Sequence, residues 1–186
     1  MSKRELNELR DRIEQLFVDS VDGKLDNKAI SIGKLTESGR IFLSILSGLE
    51  FKNEIQFYVH PDDLIHIYKG HIGKNEDDIS NLIPLTIDDI RGIVDVLYHP
   101  DAIAYLGEDS KGKKFVFFRE GEIGCFNLID VYAMRRGKLT VKTYYHTKKG
   151  RIPKCNDTPC TDVRNVWGNP FSCKYTNSFG IQIIIR

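Results

Sequence analysis

The spacing of apolar residues changes once along this chain, near Ala102, and that change constrains the fold more than any single motif. Before it, apolar side chains recur at three- and four-residue steps, with two short alternating stretches between the helical ones. After it they alternate with polar residues at a period of two. Helices first and a run of strands later describe an α+β protein rather than the repeating order of a parallel α/β sheet. The expected architecture is a set of N-terminal helices packed on a twisted antiparallel β-sheet.

Residues 2–22 place Leu6, Leu9, Ile13, Leu16 and Phe17 along one helical face and stop near Gly23. Ala29 to Gly33 reads as a strand, Thr36 to Leu46 as a helix stopped by Gly48, and Glu54 to Val59 as a second strand. His60-Pro61 ends that strand, because proline lacks the amide donor a ladder needs and suits the first turn of a helix. The helix it opens, Asp62 to Lys69, is expected to end at Gly70. Another starts with Thr86 as N-cap and Asp88 and Asp89 in its first turn, and buries Ile90, Ile93, Val94 and Leu97. His99, just before Pro100, reads as a helix-end residue without chemistry.

Four strands follow, at Ala102 to Gly107, Lys114 to Arg119, Ile123 to Ala133 and Lys138 to Thr147, separated by glycine-bearing turns. Strict alternation on the last puts Leu139, Val141, Thr143 and Tyr145 on one face and Thr140, Lys142, Tyr144 and His146 on the other. The pattern then fades among Pro153, Pro159, Gly168 and Pro170, with a closing strand expected at Ile181 to Ile185. The chain thus divides into an amphipathic helix over 1–28, an α+β unit over 29–150 and a loop-rich tail over 151–186.

With 41% hydrophobic and 28% charged residues, the 186-residue chain has material for one ordinary core. No apolar run approaches the roughly 20 residues that cross a bilayer. Met1-Ser2-Lys3-Arg4-Glu5 opens a charged helix rather than a signal peptide, so a soluble cytoplasmic protein without a membrane role is expected. Cys155, Cys160 and Cys173 could join His146 at a zinc ion, but their spacing is looser than the usual Cys-x2-Cys knuckle. No metal and no cofactor are expected. Phosphate loops of the Walker kind, dinucleotide fingerprints and nucleophile elbows do not occur in the sequence.

Net charge is only +1, yet its distribution is uneven. From Val131 to Asn156 there is no acid, while Arg135, Arg136, Lys138, Lys142, Lys148, Lys149, Arg151 and Lys154 fall in that window. The stretch from Pro61 to Asp109 is rich in acids instead. A basic stripe of this kind attracts a polyanion whatever the net charge of the whole. The segment Asp63-Leu64-Ile65-His66-Ile67-Tyr68-Lys69-Gly70-His71 adds two imidazoles, the side chains that titrate near neutral pH. On an unbroken helix His66 and His71 would point about 140° apart; a break at Gly70 would let them share a site. Tyr68 and Tyr144 read as packing residues ahead of base-stacking ones.

Four segments in order carry a family resemblance: Ile30-Ser31-Ile32-Gly33-Lys34; Val59-His60-Pro61-Asp62-Asp63 through His71; Leu85-Thr86-Ile87-Asp88-Asp89-Ile90-Arg91-Gly92-Ile93 with its following His99-Pro100-Asp101; and Leu139-Thr140-Val141-Lys142-Thr143-Tyr144-Tyr145. Over about residues 29–147 the chain resembles the phage nuclease families grouped with barnase, EndoU, the tRNase colicins and RelE. The resemblance implies a metal-independent ribonuclease of phage or toxin type, and it implicates His66, His71, Thr143 and Tyr145. Its expected partners are RNA, tRNA included, and an immunity or antitoxin protein.

Such chemistry needs a base for the 2′-hydroxyl proton and an acid for the departing 5′-oxygen. His71 is assigned as base and His66 as acid, with their order open. Thr143 and Tyr145 would donate hydrogen bonds to the non-bridging oxygens, and Lys69 or Lys142 would offset the developing charge. Arg135, Arg136, Lys148 and Lys149 would hold flanking phosphates. The alternative is a non-catalytic nucleic-acid-binding module that uses the basic stripe over 132–156.

Overall fold

The computed structural model of the protein describes residues 2–51, 54–71, 82–83, 85–121, 125–134, 138–148, 173–176 and 182–185. The first helix, α1 (Lys3–Val21), opens on a capping box: the Ser2 hydroxyl accepts from the Glu5 amide at 3.2 Å and Glu5 Oε2 accepts from the Ser2 amide at 2.6 Å. Strand β1 (Ile30–Lys34) leads to α2 (Glu37–Ser47), capped by Thr36 and closed by Gly48 in the left-handed conformation at φ 66°. Then come β2 (Gln56–Val59), α3 (Pro61–His71) and the short β3 (Leu82–Ile83). A 3₁₀ turn (Asp88–Arg91) runs into α4 (Gly92–Tyr98). Thr86 does cap this start, exchanging hydrogen bonds with Asp89 through both its amide and its hydroxyl.

The four expected strands follow as β4 (Ala102–Asp109), β5 (Gly112–Glu120), β6 (Cys125–Met134) and β7 (Lys138–Lys148). In the tail, β8 (Cys173–Thr176) pairs with β9 (Gln182–Ile185). The closing strand was legible; its partner was not.

The main sheet runs β1-β2-β7-β6-β5-β4, with β3 also pairing to β7. The fold is α+β, and β4 to β7 form the expected antiparallel meander. The sheet as a whole is mixed, however, because β2 runs parallel to β7. Alternation reports which side chains share a face; it carries no information about which distant strand becomes a neighbour, or in which direction.

One face of the sheet is covered by the helices. Phe57, Val59, Phe115, Phe117, Ile129, Val131, Leu139 and Val141 meet Ile13, Phe17, Leu43, Leu64, Ile67, Ile93 and Val94, all buried. Burying each such side chain stabilises by about 1.5–3 kcal/mol before entropy is counted. The N-terminal helix thus belongs to this core, and ion pairs hold it there: Arg10 grips Asp95 through two nitrogens, and Arg91 reaches Asp11 at 2.6 Å and Glu14 at 2.5 Å. Among the described residues no helix is long and apolar enough to cross a membrane.

Besides a register shift in β4 between Tyr105 and Glu108, two bulges shape the sheet. In β1, Ile32 is the extra residue, and Gly33 beside it takes φ 139°. The Tyr98 hydroxyl presses on this glycine so closely that a Cβ there would sit 2.0 Å from the oxygen. That hydroxyl is buried without a hydrogen-bond partner among the described residues, and burial pushes the phenol up to about 12. The second bulge, in β7, concerns the candidate site directly.

Candidate functional site

Strand β2 pairs with β7 from Lys138 to Val141, and β3 pairs with it at His146 and Thr147. Between them a stretch of the β7 edge lies beside α3, which starts directly after β2. Pro61 opens that helix and Asp63 sits in its first turn. The Lys142 ammonium donates to Asp63 Oδ2 at 2.9 Å, with the lysine 31% and the aspartate 18% exposed. A charge pair this far withdrawn from water ties the helix to the strand and keeps both partners from facing solvent unpaired.

Lys142 is also the extra residue of the β7 bulge: across on β6, Val131 pairs with Val141 and the adjacent Asp130 pairs with Thr143. Each bulge shifts the alternation by one. Leu139 and Val141 point into the helix-covered core, but beyond the bulge it is Tyr144 that does so, 1% exposed. Tyr145 packs with Val116 and Phe118 on the opposite, outer face. The expected alternation therefore fails at Lys142, and Thr143 and Tyr145 do not share a face with Leu139 and Val141. A strict period of two cannot reveal an inserted residue that carries no glycine to mark it.

The expected break at Gly70 is also absent. Helix α3 continues to His71, and Gly70 lies within it. A Cβ on Gly70 would meet the His66 ring at an ordinary 3.9 Å, so this glycine answers to neither a turn nor a close approach. The backbone directions at His66 and His71 accordingly diverge by about 140°. His66 is exposed, as is Lys69, and Tyr68 packs its ring against Phe17 with centroids 5.7 Å apart. The His71 and Lys148 side chains, and all of Arg135, Arg136 and Lys149, lie outside the described residues.

A second group of polar residues was missed. The Tyr144 hydroxyl lies 3.0 Å from His146 Nε2, under the start of α4, where a Cβ on Gly92 would come 2.8 Å from it. Burial raises the Tyr144 phenol far above its ordinary value, with Asp89 and Asp95 adding to the effect. Burial lowers the His146 imidazole, against the pull of Asp89. The Tyr-x-His spacing on a strand was the available signal, since it puts both rings on one face. Of the zinc ligands weighed from sequence, Cys155 and Cys160 lie outside the described residues, and Tyr144 already engages His146 Nε2. His99 ends α4, and its carbonyl accepts from Arg119 at 3.3 Å.

Thr143 and Tyr145 thus lie on the outer side of β7, while α3, tied to the strand through Lys142 and Asp63, carries the exposed His66. Residues 40–154 match the family described as phage-Barnase-EndoU-ColicinE5/D-RelE like nuclease3. The chain belongs to this nuclease family. The matched span covers well over half of the chain and contains α3, β7 and all strands between them. No curated protein and no solved structure matches the chain. The fold, with its helices on one side of an antiparallel meander, agrees with the family expectation.

Proposed function

We propose that this nuclease is a metal-independent endoribonuclease that cleaves RNA by acid/base transesterification, leaving a 2′,3′-cyclic phosphate and a 5′-hydroxyl. The observation that carries the reading is the Lys142–Asp63 tether, which fastens the helix bearing His66 beside the strand residue that precedes Thr143. Nucleophile and leaving group in this reaction both belong to the RNA, so the protein needs only proton transfer and charge stabilisation.

In this reading one imidazole takes the 2′-hydroxyl proton while the other protonates the departing 5′-oxygen. His66 and His71 fill these roles, with their order open: without a break at Gly70 they leave the axis of α3 about 60° and about 80° to either side of Asp63, the residue tied to Lys142, and so flank the phosphate rather than converge on it. Thr143 and Tyr145 donate to the non-bridging oxygens. Lys69, Arg135, Arg136, Lys148 and Lys149 hold neighbouring phosphates, contacts that position the strand without reading its sequence. Lys142 serves as a positioning residue, because its ammonium is committed to Asp63.

The test is cleavage of total RNA and tRNA by the purified protein in excess chelator, beside His66→Ala, His71→Ala and Thr143→Ala variants that still fold. Cyclic-phosphate ends, with activity reduced at least about 100-fold in each variant, support the mechanism. Activity abolished by the chelator would overturn metal independence. Tight RNA binding with no turnover would replace the enzyme by a binding module.

A further inference from the structure

We infer that Tyr58, Gln56 and Lys138 form a nucleotide subsite on the outer face of the sheet, a site that neither the motifs nor the family match points to. The inference rests on the reading of nucleic acid as substrate. It starts from the parallel pairing of β2 with β7, which sequence periodicity could not foresee. That pairing places Tyr58 opposite Thr140, with Ser31 on its other side and Gln56 opposite Lys138. Phe57 and Val59 turn into the core, so Gln56 and Tyr58 face outward.

The side chains there are arranged for a base and a phosphate. Ser31 Oγ donates to Gln56 Oε1 at 2.7 Å, and the Tyr58 hydroxyl donates to the same oxygen at 3.3 Å. With its oxygen held twice, the Gln56 amide is fixed in one orientation and presents its nitrogen as a donor, suited to a carbonyl or ring-nitrogen acceptor on a base edge. The Lys138 ammonium lies 4.9 Å from the centre of the Tyr58 ring, and no carboxylate pairs with it among the described residues. Such an exposed cation–π contact is weak enough to exchange. A base could then take the ring face while the ammonium turns to the adjoining phosphate.

The other tyrosine in this cross-strand row offers no such place. Tyr132, opposite Thr140 on the β6 side, is buried, and its hydroxyl donates to Asp109 at 3.1 Å, a carboxylate that repels phosphate. Glu54, just ahead of β2, pairs with Lys34 at 2.7 Å. Along β7, Thr140 and Thr143 face Tyr132 and Asp130, two residues apart on β6, and so lie roughly 7 Å apart at about 3.3 Å per residue. The subsite therefore holds a nucleotide one or two positions from the phosphate proposed to react at Thr143.

Binding is measured with fluorescent single-stranded 2′-O-methyl oligonucleotides, which lack the attacking hydroxyl, across a range of salt and for each homopolymer. Tyr58→Leu is expected to weaken binding about tenfold while Tyr58→Trp retains it, as stacking requires. Lys138→Gln should lower the slope of log affinity against log salt by about 1. Gln56→Leu should level the differences among homopolymers, which a purely structural role would not do. If the unsubstituted protein binds and cleaves RNA but all of these variants match it, the subsite is wrong and the nuclease reading stands. If it neither binds nor cleaves, both are overturned. Should Tyr58→Leu fail to fold, the exposed Lys138 and its salt slope decide the matter alone.

Discussion

Tyr144 and Tyr145 are neighbours in one strand, yet they live in two different environments. Tyr144 faces the helices, 1% exposed, hydrogen-bonded to a histidine and surrounded by the main core. Tyr145 faces outward, half-buried against Val116 and Phe118, on the face that also carries Tyr58. The helix-covered face obtains its order from apolar burial. The outer face holds hydroxyls and amines on the same strands, where a polyanion can reach groups such as Lys138. One sheet can thus supply rigidity and chemistry together, provided that each side chain is delivered to the correct face.

The comparison breaks first at the two tyrosines. Tyr144→Ala removes a fully buried ring and should cost about 3–5 kcal/mol in urea unfolding. Tyr145→Phe should cost no more than about 1 kcal/mol, because its ring still packs and only a hydroxyl is lost. Activity should report the reverse order of importance: Tyr145→Phe lowers kcat about 100-fold if its hydroxyl donates to the reacting phosphate. Equal stability losses at the two positions would mean that the faces are not as different as the structure makes them.

Much of this was readable in advance, and the failures share one cause. The cap at Thr86, the apolar face Ile90-Ile93-Val94-Leu97 and the meander from Ala102 onward follow from local chemistry, and each stands where the sequence placed it. The pairing of β2 with β7, the bulge at Lys142 and the continuity of α3 through Gly70 depend on contacts between distant segments. A glycine ends a helix only when the chain has to turn there, and α3 meets no such demand. The same holds for the candidate site: His66, Thr143 and Tyr145 were visible as residues, whereas the Asp63–Lys142 tether and the Tyr58 surface required the fold.

Deleting Lys142 sharpens the contrast further. Because it is the extra residue of the bulge, its removal leaves Thr143 opposite Asp130 and Tyr144 opposite Ile129, with every face preserved. The expected cost is about 1–2 kcal/mol, mainly from the lost pair with Asp63. RNA cleavage should fall much more, since α3 is no longer tied beside Thr143. Were β7 regular, the same deletion would invert Thr143 through His146 and cost above about 4 kcal/mol. Urea midpoints therefore distinguish a bulged strand from a regular one without any new structure.

The smallest expected effect concerns His146. The Tyr144 hydroxyl and His146 Nε2 lie 3.0 Å apart in a buried setting that disfavours a charge on the imidazole. Burial is the main cause of its lowered value, and the Asp89 carboxylate opposes it. A histidine whose folded value lies below the ordinary 6.5 takes up its proton more readily when unfolded. Its contribution to stability is therefore complete above that value and is lost as pH falls through the range beneath it. Unfolding at about pH 8 and about pH 5 should show the wild-type protein losing more stability than His146→Gln, which has no proton to gain there. His60, His66, His71, His99 and the carboxylates are common to both proteins, so the difference between them isolates His146. An identical pH response in the two would place this imidazole in water and remove its contact with Tyr144.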